Sequence, residues 1–338
     1  MLSAKRKPVY VECVIAADID KIWNHTQTPE KHEQWDLRFT HITYLPRKSQ
    51  QEPQQFHYET RIGFGISISG TGQTRASVEE NDGARLSALA FSSEERMSLI
   101  RTGGGYWKYV PYVPCVPCVS PAPQEDQALT KFLTRYDYKT RWGLVGAWLD
   151  RLLFRPLITW ATAWSFDCLR LWLERELSPR ISTKLSLIYT SILAVLVFIW
   201  IWHGLVPKWL YPEAGEQQVL ELLGLFPGQE KAALRVAGTA EILMGLVLLF
   251  GQRYRWLYGI MTVMLVVLGV SALVGVPILL KAPFNPLTFN LAVAACCLVN
   301  WVLHPYVPMA SRCVMREPRA VSNTPGKKKE GTKDAFNL

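Results

Sequence analysis

Residues 185–202, LSLIYTSILAVLVFIWIW, contain no charged side chain. Continued through Val206 as a helix, the run rises roughly 33 Å, the depth of a hydrocarbon core. A helix closes its own backbone hydrogen bonds, which lipid cannot do for it. Three more apolar runs follow, at 232–250, 256–280 and 287–303. The first run therefore reads as a membrane span and not as a buried helix of a soluble core. The second span is short, and the third is long enough to tilt. The chain divides accordingly into a mixed, polar part (1–178), an apolar part (179–310) and a basic tail (311–338).

Charge supplies an orientation. Arg170, Arg175, Arg180 and Lys184 precede span one, Arg253 and Arg255 separate spans two and three, and Arg312, Arg316 and Arg319 follow span four. The loop 208–231 instead carries Glu213, Glu216, Glu221 and Glu230. The positive-inside rule then predicts a multi-pass protein of the inner membrane with both termini in the cytoplasm. The opening MLSAKRKP is basic, but no apolar stretch of signal-peptide type follows, so the first part is expected to stay cytoplasmic. Much of the formal charge of +9 lies beside the spans and in the tail, where Lys327, Lys328 and Lys329 suit a disordered segment that either faces anionic lipid or merely solubilises the chain. Membrane lipid is thus an expected partner. No nucleic-acid motif accompanies the charge, so nucleic acid is not.

In the first part, Val9, Val11, Cys13 and Ile15 alternate with Tyr10, Glu12 and Val14, a period of two that predicts a strand. Asp18 caps a short helix at 19–25, and Pro29 opens another toward Trp35. Strand patterns follow at 39–45, 56–62, 64–78, 84–91, 97–110 and 129–138. Asn81-Asp82-Gly83 makes a strong turn. Gly103-Gly104-Gly105 reads as a bulge or turn inside a strand, not as a nucleotide fingerprint. From 143 to 177 the period becomes helical, with Val145, Trp148, Leu149, Leu152 and Leu153 at spacings of three and four. Pro156 should kink or divide that helix. The run 157–166 is too short to span and should pack on the sheet or lie partly in the membrane interface.

This order, carried by VYVECVIAADIDKIWNHTQTPEKHEQWD at 9–36 and the long helix GLVGAWLDRLLFRPLITWATAWSFDCLRLWLE, resembles the START-like superfamily, also called the polyketide cyclase/dehydrase and lipid-transport superfamily. The resemblance covers about residues 8–177. It implies a helix-grip fold, a sheet curled around a long helix with an apolar cavity between them. The fold class expected is an α+β helix-grip soluble domain followed by an all-α transmembrane four-helix bundle. Trp35, Phe64, Tyr106, Trp107, Tyr136 and Trp148 are candidate walls for an apolar ligand; ordinary core packing is the competing explanation for each.

The second part carries HGLVPKWLYP at 203–212, RVAGTAEILMGLVLLFG at 235–251 and NPLTFNLAV at 285–293. These segments resemble the DoxX-like membrane family over about 182–306. The broader DoxX family is linked to quinone-connected respiratory or sulfur oxidoreductase complexes, so quinone enters as a candidate cofactor. Polar residues in spans are costly in lipid and mark function. Counting from the span ends places His203, Glu241 and Asn290 at one depth, with Arg235 near them. Gly238 and Gly245 flank Glu241 and permit close helix approach. This polar layer is expected either to hold a quinone head group or relay protons, or to tie the bundle together by hydrogen bonds.

Other signals are weaker. Cys115 and Cys118 form a CxxC among prolines, with no helix after it and no second ligand pair, and so make a poor redox or metal site. The seven cysteines do not form a secreted disulfide framework. His25, His32, His41 and His57 lack ligand spacing; His25 and His32, beside Glu30 and Glu33, read as a solvated helix pair. No metal site and no nucleophile–base pair stands out. The functional expectation is a membrane-anchored binding or transfer protein for an apolar ligand, lipid or quinone-like, with catalysis by the chain itself left open. The alternative is a quinone-interacting subunit of a membrane oxidoreductase, whose redox chemistry comes from a partner protein.

Overall fold

The computed structural model describes residues 7–49, 52–63, 65–113, 128–214, 216–275, 277–281, 283 and 285–318. Among these residues the alternation in the first part yields seven strands: β1 (Val9–Ile15), β2 (His41–Tyr44), β3 (Gln55–Gly63), β4 (Ile66–Glu79), β5 (Arg85–Ser92), β6 (Ile100–Pro111) and β7 (Thr130–Thr140). They form one antiparallel sheet in the order β1-β7-β6-β5-β4-β3-β2. Strands two to seven thus meander, and the first strand returns beside the last. Two short helices, α1 (Ile19–Gln27) and α2 (Pro29–Trp35), connect the opposite edges. Asp18 caps α1 by accepting from the Lys21 N–H at 2.6 Å, and Pro29 stands at the start of α2, where its missing N–H costs nothing. The Gly-rich stretch of β6 stays in register with both neighbours; the shift expected there occurs earlier, between Ile100 and Thr102.

Pro156 divides the long helix as expected. α3 (Gly143–Leu149) passes into a π-helical turn, Asp150–Phe154, before α4 (Arg155–Arg175) begins. A proline cannot donate the regular i→i−4 bond, and the wider turn accommodates that loss. α4 lies on the sheet through stacked rings: the Phe132 and Phe166 centroids are 4.3 Å apart, and those of Tyr109 and Phe132 5.0 Å. This core also holds Val11, Ile15, Ile22, Trp35 and Leu169, all buried.

After a turn at 176–178, with Glu176 at φ 54°, the chain enters α5 (Pro179–Leu205). A second π-helical turn, Val206–Leu210, extends it across Pro207. Then come α6 (Glu216–Leu222), α7 (Glu230–Phe250), α8 (Trp256–Gly275) and α9 (Pro286–Leu303). Among the described residues, four helices are long and apolar enough to cross a membrane: Pro179–Leu210, Glu230–Phe250, Trp256–Gly275 and Pro286–Tyr306. The third ends at Gly275, short of the expected 280; a 3-10 turn, Pro277–Lys281, follows. α5 and α7 touch at Gly204 and Gly238, where a Cβ on either would strike the other's carbonyl oxygen. Tyr189 and Tyr258 share a 2.6 Å hydrogen bond across α5 and α8, and Asn300 of α9 donates to the Tyr189 carbonyl at 3.2 Å.

The segment after span four does not trail off at 311. Val307 and Met309 pack in the bundle core, while Ala310 and Cys313 are buried in the core of the first domain. Glu12 and Val314 exchange two backbone hydrogen bonds of 2.9 Å along the free edge of β1. Asp167, fully buried on α4, accepts from the Met309 N–H at 2.8 Å and from Arg312 at 3.0 Å. A buried carboxylate needs such partners, and they hold 307–314 as a strap between the two domains. The basic run Lys327–Lys329 and Arg319 lie outside the described residues.

Candidate functional site

A cavity of about 560 Å³ opens between the sheet and the α3–α4 segment. Leu89, Phe91, Tyr106, Trp107 and Tyr136 line its sheet side, and Leu149, Leu153, Leu157, Ile158 and Ala161 its helix side. The glycines of β6 make room for the rings: a Cβ at Gly105 would fall on Tyr136, and one at Gly103 on the Phe91 ring. The polar groups of the wall are largely satisfied within the protein. Tyr136 Oη pairs with Thr162 Oγ1 at 3.0 Å, Tyr58 Oη donates to the Ser92 carbonyl at 3.3 Å, and Thr134 Oγ1 to that of Tyr106 at 3.1 Å. Burial, aided by Glu95, pushes the Tyr58 phenol up to about 12, so it stays neutral.

One charged pair stands at the cavity's end. Arg38 grips Asp36 with two hydrogen bonds, Nε to Oδ1 at 2.9 Å and Nη2 to Oδ2 at 2.6 Å. Its guanidinium lies 5.5 Å from the Phe39 ring centroid and 5.7 Å from that of Tyr136. His32 Nε2 meets Asp36 Oδ2 at 3.0 Å. Burial works to raise the Asp36 carboxyl, but Arg38 and then His32 outweigh it and hold the group well below the ordinary carboxylate range. The cavity thus offers a broad apolar surface with the fixed guanidinium of Arg38 in its lining, and Arg61 borders it as well.

Among the wall residues expected from the sequence, Tyr106, Trp107 and Tyr136 border the cavity. Trp35 does not; it is buried behind the His32 ring and donates Nε1 to the His25 carbonyl at 3.0 Å. Trp148 points outward at 65% exposure, because Leu149 takes the inward position before the π-helical turn. Phe64 lies outside the described residues, as do Cys115 and Cys118. The helix pair is not simply solvated: the His32 ring stands 5.0 Å from Trp107 and its side chain is 12% exposed. The sequence reading missed His32, Asp36 and Arg38. The available signal was Asp36-Leu37-Arg38 directly after α2, an acid and a base spaced to meet once the chain leaves the helix.

In the bundle, the four polar residues do not meet in one cluster. Glu241 pairs instead with Lys208, Oε2 to Nζ 2.9 Å, and Lys208 also pairs with Glu216 at 2.9 Å. Lys208, read from sequence as a loop residue, is buried because the π-helical turn swings it under α7. His203 stacks on Phe289 of α9 with centroids 4.8 Å apart. Arg235 is exposed and lies 5.8 Å from the Trp209 ring centroid, and Asn290 sits half-buried beside Gly269 of α8.

Residues 197–298 match the model of the DoxX-like family. The chain is 40% identical over 253 residues to the uncharacterized membrane protein YndG of Bacillus subtilis (strain 168), covering 75% of this chain and 81% of that one. It belongs to the same family as YndG and is a membrane protein. Solved structures similar to its first half include the Zhui aromatase/cyclase from Streptomyces sp. R1128, at 14% identity and a TM-score of 0.32, covering 45% of this chain and 87% of that one. Another is a STAR-related lipid transfer protein fragment from Xanthomonas axonopodis, at 14% identity and a TM-score of 0.34, covering 52% and 97%. The helix-grip assignment follows from the sheet and helix described above.

Proposed function

We propose that the protein binds an apolar ligand, a lipid or quinone-like molecule, in the cavity domain and exchanges it with the adjacent leaflet. The carrying observation is that the cavity's helix-side rim is apolar on its outer surface as well. Leu144 (90% exposed), Val145, Trp148, Leu152 and Trp160 face outward beside Leu153 and Leu157 of the cavity wall. Exposed apolar stripes of this kind mark contact with membranes or partners. The turn at 176–178 keeps the domain against the span ends, so a ligand leaving the cavity crosses little water. The arginines near the domain-side span ends support a cytoplasmic position for this domain and for both termini.

The test uses the full chain, since the strap completes the first domain's core. Purification in detergent, followed by extraction and mass spectrometry, should recover an apolar molecule in near-stoichiometric amount. Ala161→Trp, which fills the cavity from α4, should lower its recovery at least tenfold while the protein still folds. Equal recovery from both proteins would sink this reading. A second reading takes Lys208 and Glu241 as the seat of a quinone head group or a proton relay, served by a redox partner; their charge cluster at the far end of the bundle favours it. That reading requires quinone-dependent activity that is lost in Glu241→Gln.

A further inference from the structure

A second hollow, of about 450 Å³, lies where the cavity domain meets the bundle. Arg170 and Arg175 reach it from the end of α4, His304 from the end of span four, Arg312 from the strap and Glu12 from β1. Three guanidiniums from two separate stretches of chain therefore converge on one space. Each is held in place. Arg170 donates to Asp167 and to Glu174, both at 2.7 Å. Arg312 donates to Asp167 at 3.0 Å and to the carbonyls of Val307 and His304 at 2.8 and 2.7 Å. Arg175 donates to the Pro305 carbonyl at 2.9 Å and lies 5.4 Å from the Tyr306 ring centroid.

The charges do not cancel. Asp167 and Glu174 oppose the three arginines, and Glu12 is matched by Lys131 at 3.5 Å, so one positive charge is left over. The bonds above use Nε and Nη1 of Arg170, both Nη atoms of Arg312 and Nη1 of Arg175. Arg170 Nη2, Arg312 Nε, and Nε and Nη2 of Arg175 have no protein partner among the described residues. Fixed donors with spare N–H groups and excess positive charge suit a tetrahedral oxyanion.

The level of the hollow in the membrane points the same way. Exposed Tyr254, Trp256, Trp301 and Tyr306 stand near the same span ends, together with Arg253 and Arg255. That is the composition of a bilayer interface. Basic hollows at this depth receive phosphate-bearing head groups. We propose that the hollow binds a phosphate group, carried by an anionic lipid head group or by a free phosphate, and so joins the cavity domain to the bundle. This site does not depend on what the apolar cavity holds.

Native mass spectrometry of the full chain in detergent tests it, with phosphatidylglycerol, phosphatidylcholine or inorganic phosphate added. The wild type should retain phosphatidylglycerol over phosphatidylcholine, and Arg175→Gln should weaken that retention about tenfold. Lys231→Gln, at the far end of the bundle beside Glu213, should leave it unchanged. If Arg175→Gln melts early, Glu12→Gln serves instead: it removes the rim's negative charge and should strengthen retention. Displacement of the lipid by millimolar inorganic phosphate would support the site and assign it to free phosphate. Retention that resists phosphate yet falls in Arg175→Gln would assign it to the lipid head group. Equal retention by the wild type and Arg175→Gln, with no gain in Glu12→Gln, would overturn the proposal.

Discussion

The two halves of the molecule hold their charges in different ways. In the cavity domain the carboxylates of Asp36, Asp150 and Asp167 are almost fully buried, each gripped by an arginine. In the bundle the described ion pairs join Lys208 to Glu216 and Glu241, and Lys231 to Glu213, at the end far from the cavity domain. Their carboxylates remain partly exposed, Glu241 at 24% and Glu216 at 35%. A folded domain can surround a charge with fixed partners on every side. A thin bundle in lipid cannot, so its charges collect where head groups and water reach. Asp167 also reaches 145 residues along the chain to Arg312, whereas the bundle's own packing rests on close backbone approach at Gly204 and Gly238.

That contrast predicts the largest effect at Asp167. Asp167→Ala removes the shared partner of Arg170, Arg312 and the Met309 N–H, and leaves Arg170 with Glu174 alone and Arg312 with two carbonyls. Breaking one side of a buried pair costs about 3–5 kcal/mol. Thermal melting of the full chain should show this loss. Proteolysis should then cut the strap near 307–314 before it cuts the bundle. A variant that melts like the wild type would mean that the strap is held by apolar contacts at Ala310 and Cys313 alone.

Much of this frame was legible in the sequence because it is written in period and length. The alternation at Val9, Val11, Cys13 and Ile15 marked β1, Asp18 and Pro29 marked two helix starts, and the uncharged run at 185–202 marked the first span. Resemblance supplied the helix grip, which periodicity alone does not distinguish from other mixed folds. The site was less legible. Its key contacts are set by local backbone geometry and by long-range return of the chain. Lys208 turns inward only because a π-helical turn follows from Pro207. Leu149, not Trp148, faces the cavity for a similar reason at Asp150–Phe154. The strap falls in the expected tail because Arg312 and Arg316 look like span flanks; only the fold brings Arg312 to Asp167, 145 residues away in sequence.

A smaller effect is expected in the bundle. Glu241→Gln leaves an amide opposite Lys208, and Glu216 still neutralises the ammonium, so the loss should be about 1 kcal/mol. A midpoint shift of a degree or two in detergent, with the cavity domain's resistance to proteolysis unchanged, would match. A loss as large as that of Asp167→Ala would erase the distinction between the halves and show that the far-end cluster is as tightly desolvated as the pairs in the first domain.

The smallest stability effect belongs to Trp148, and it bears most directly on function. Its ring stands outside both cores, so Trp148→Ser should change the melting of the full chain by no more than about 0.5 kcal/mol. The same residue belongs to the apolar stripe beside the cavity rim, which has no reason to stay exposed in a domain that never meets lipid. Removing the indole should therefore slow the passage of a fluorescent apolar ligand between reconstituted protein and acceptor vesicles, with binding at equilibrium unchanged. Stability and exchange then separate in one variant. Lowered stability with unaltered exchange would place the ring in packing between copies of the chain. An unaltered rate in a stable variant would mean that the ligand enters and leaves by another path.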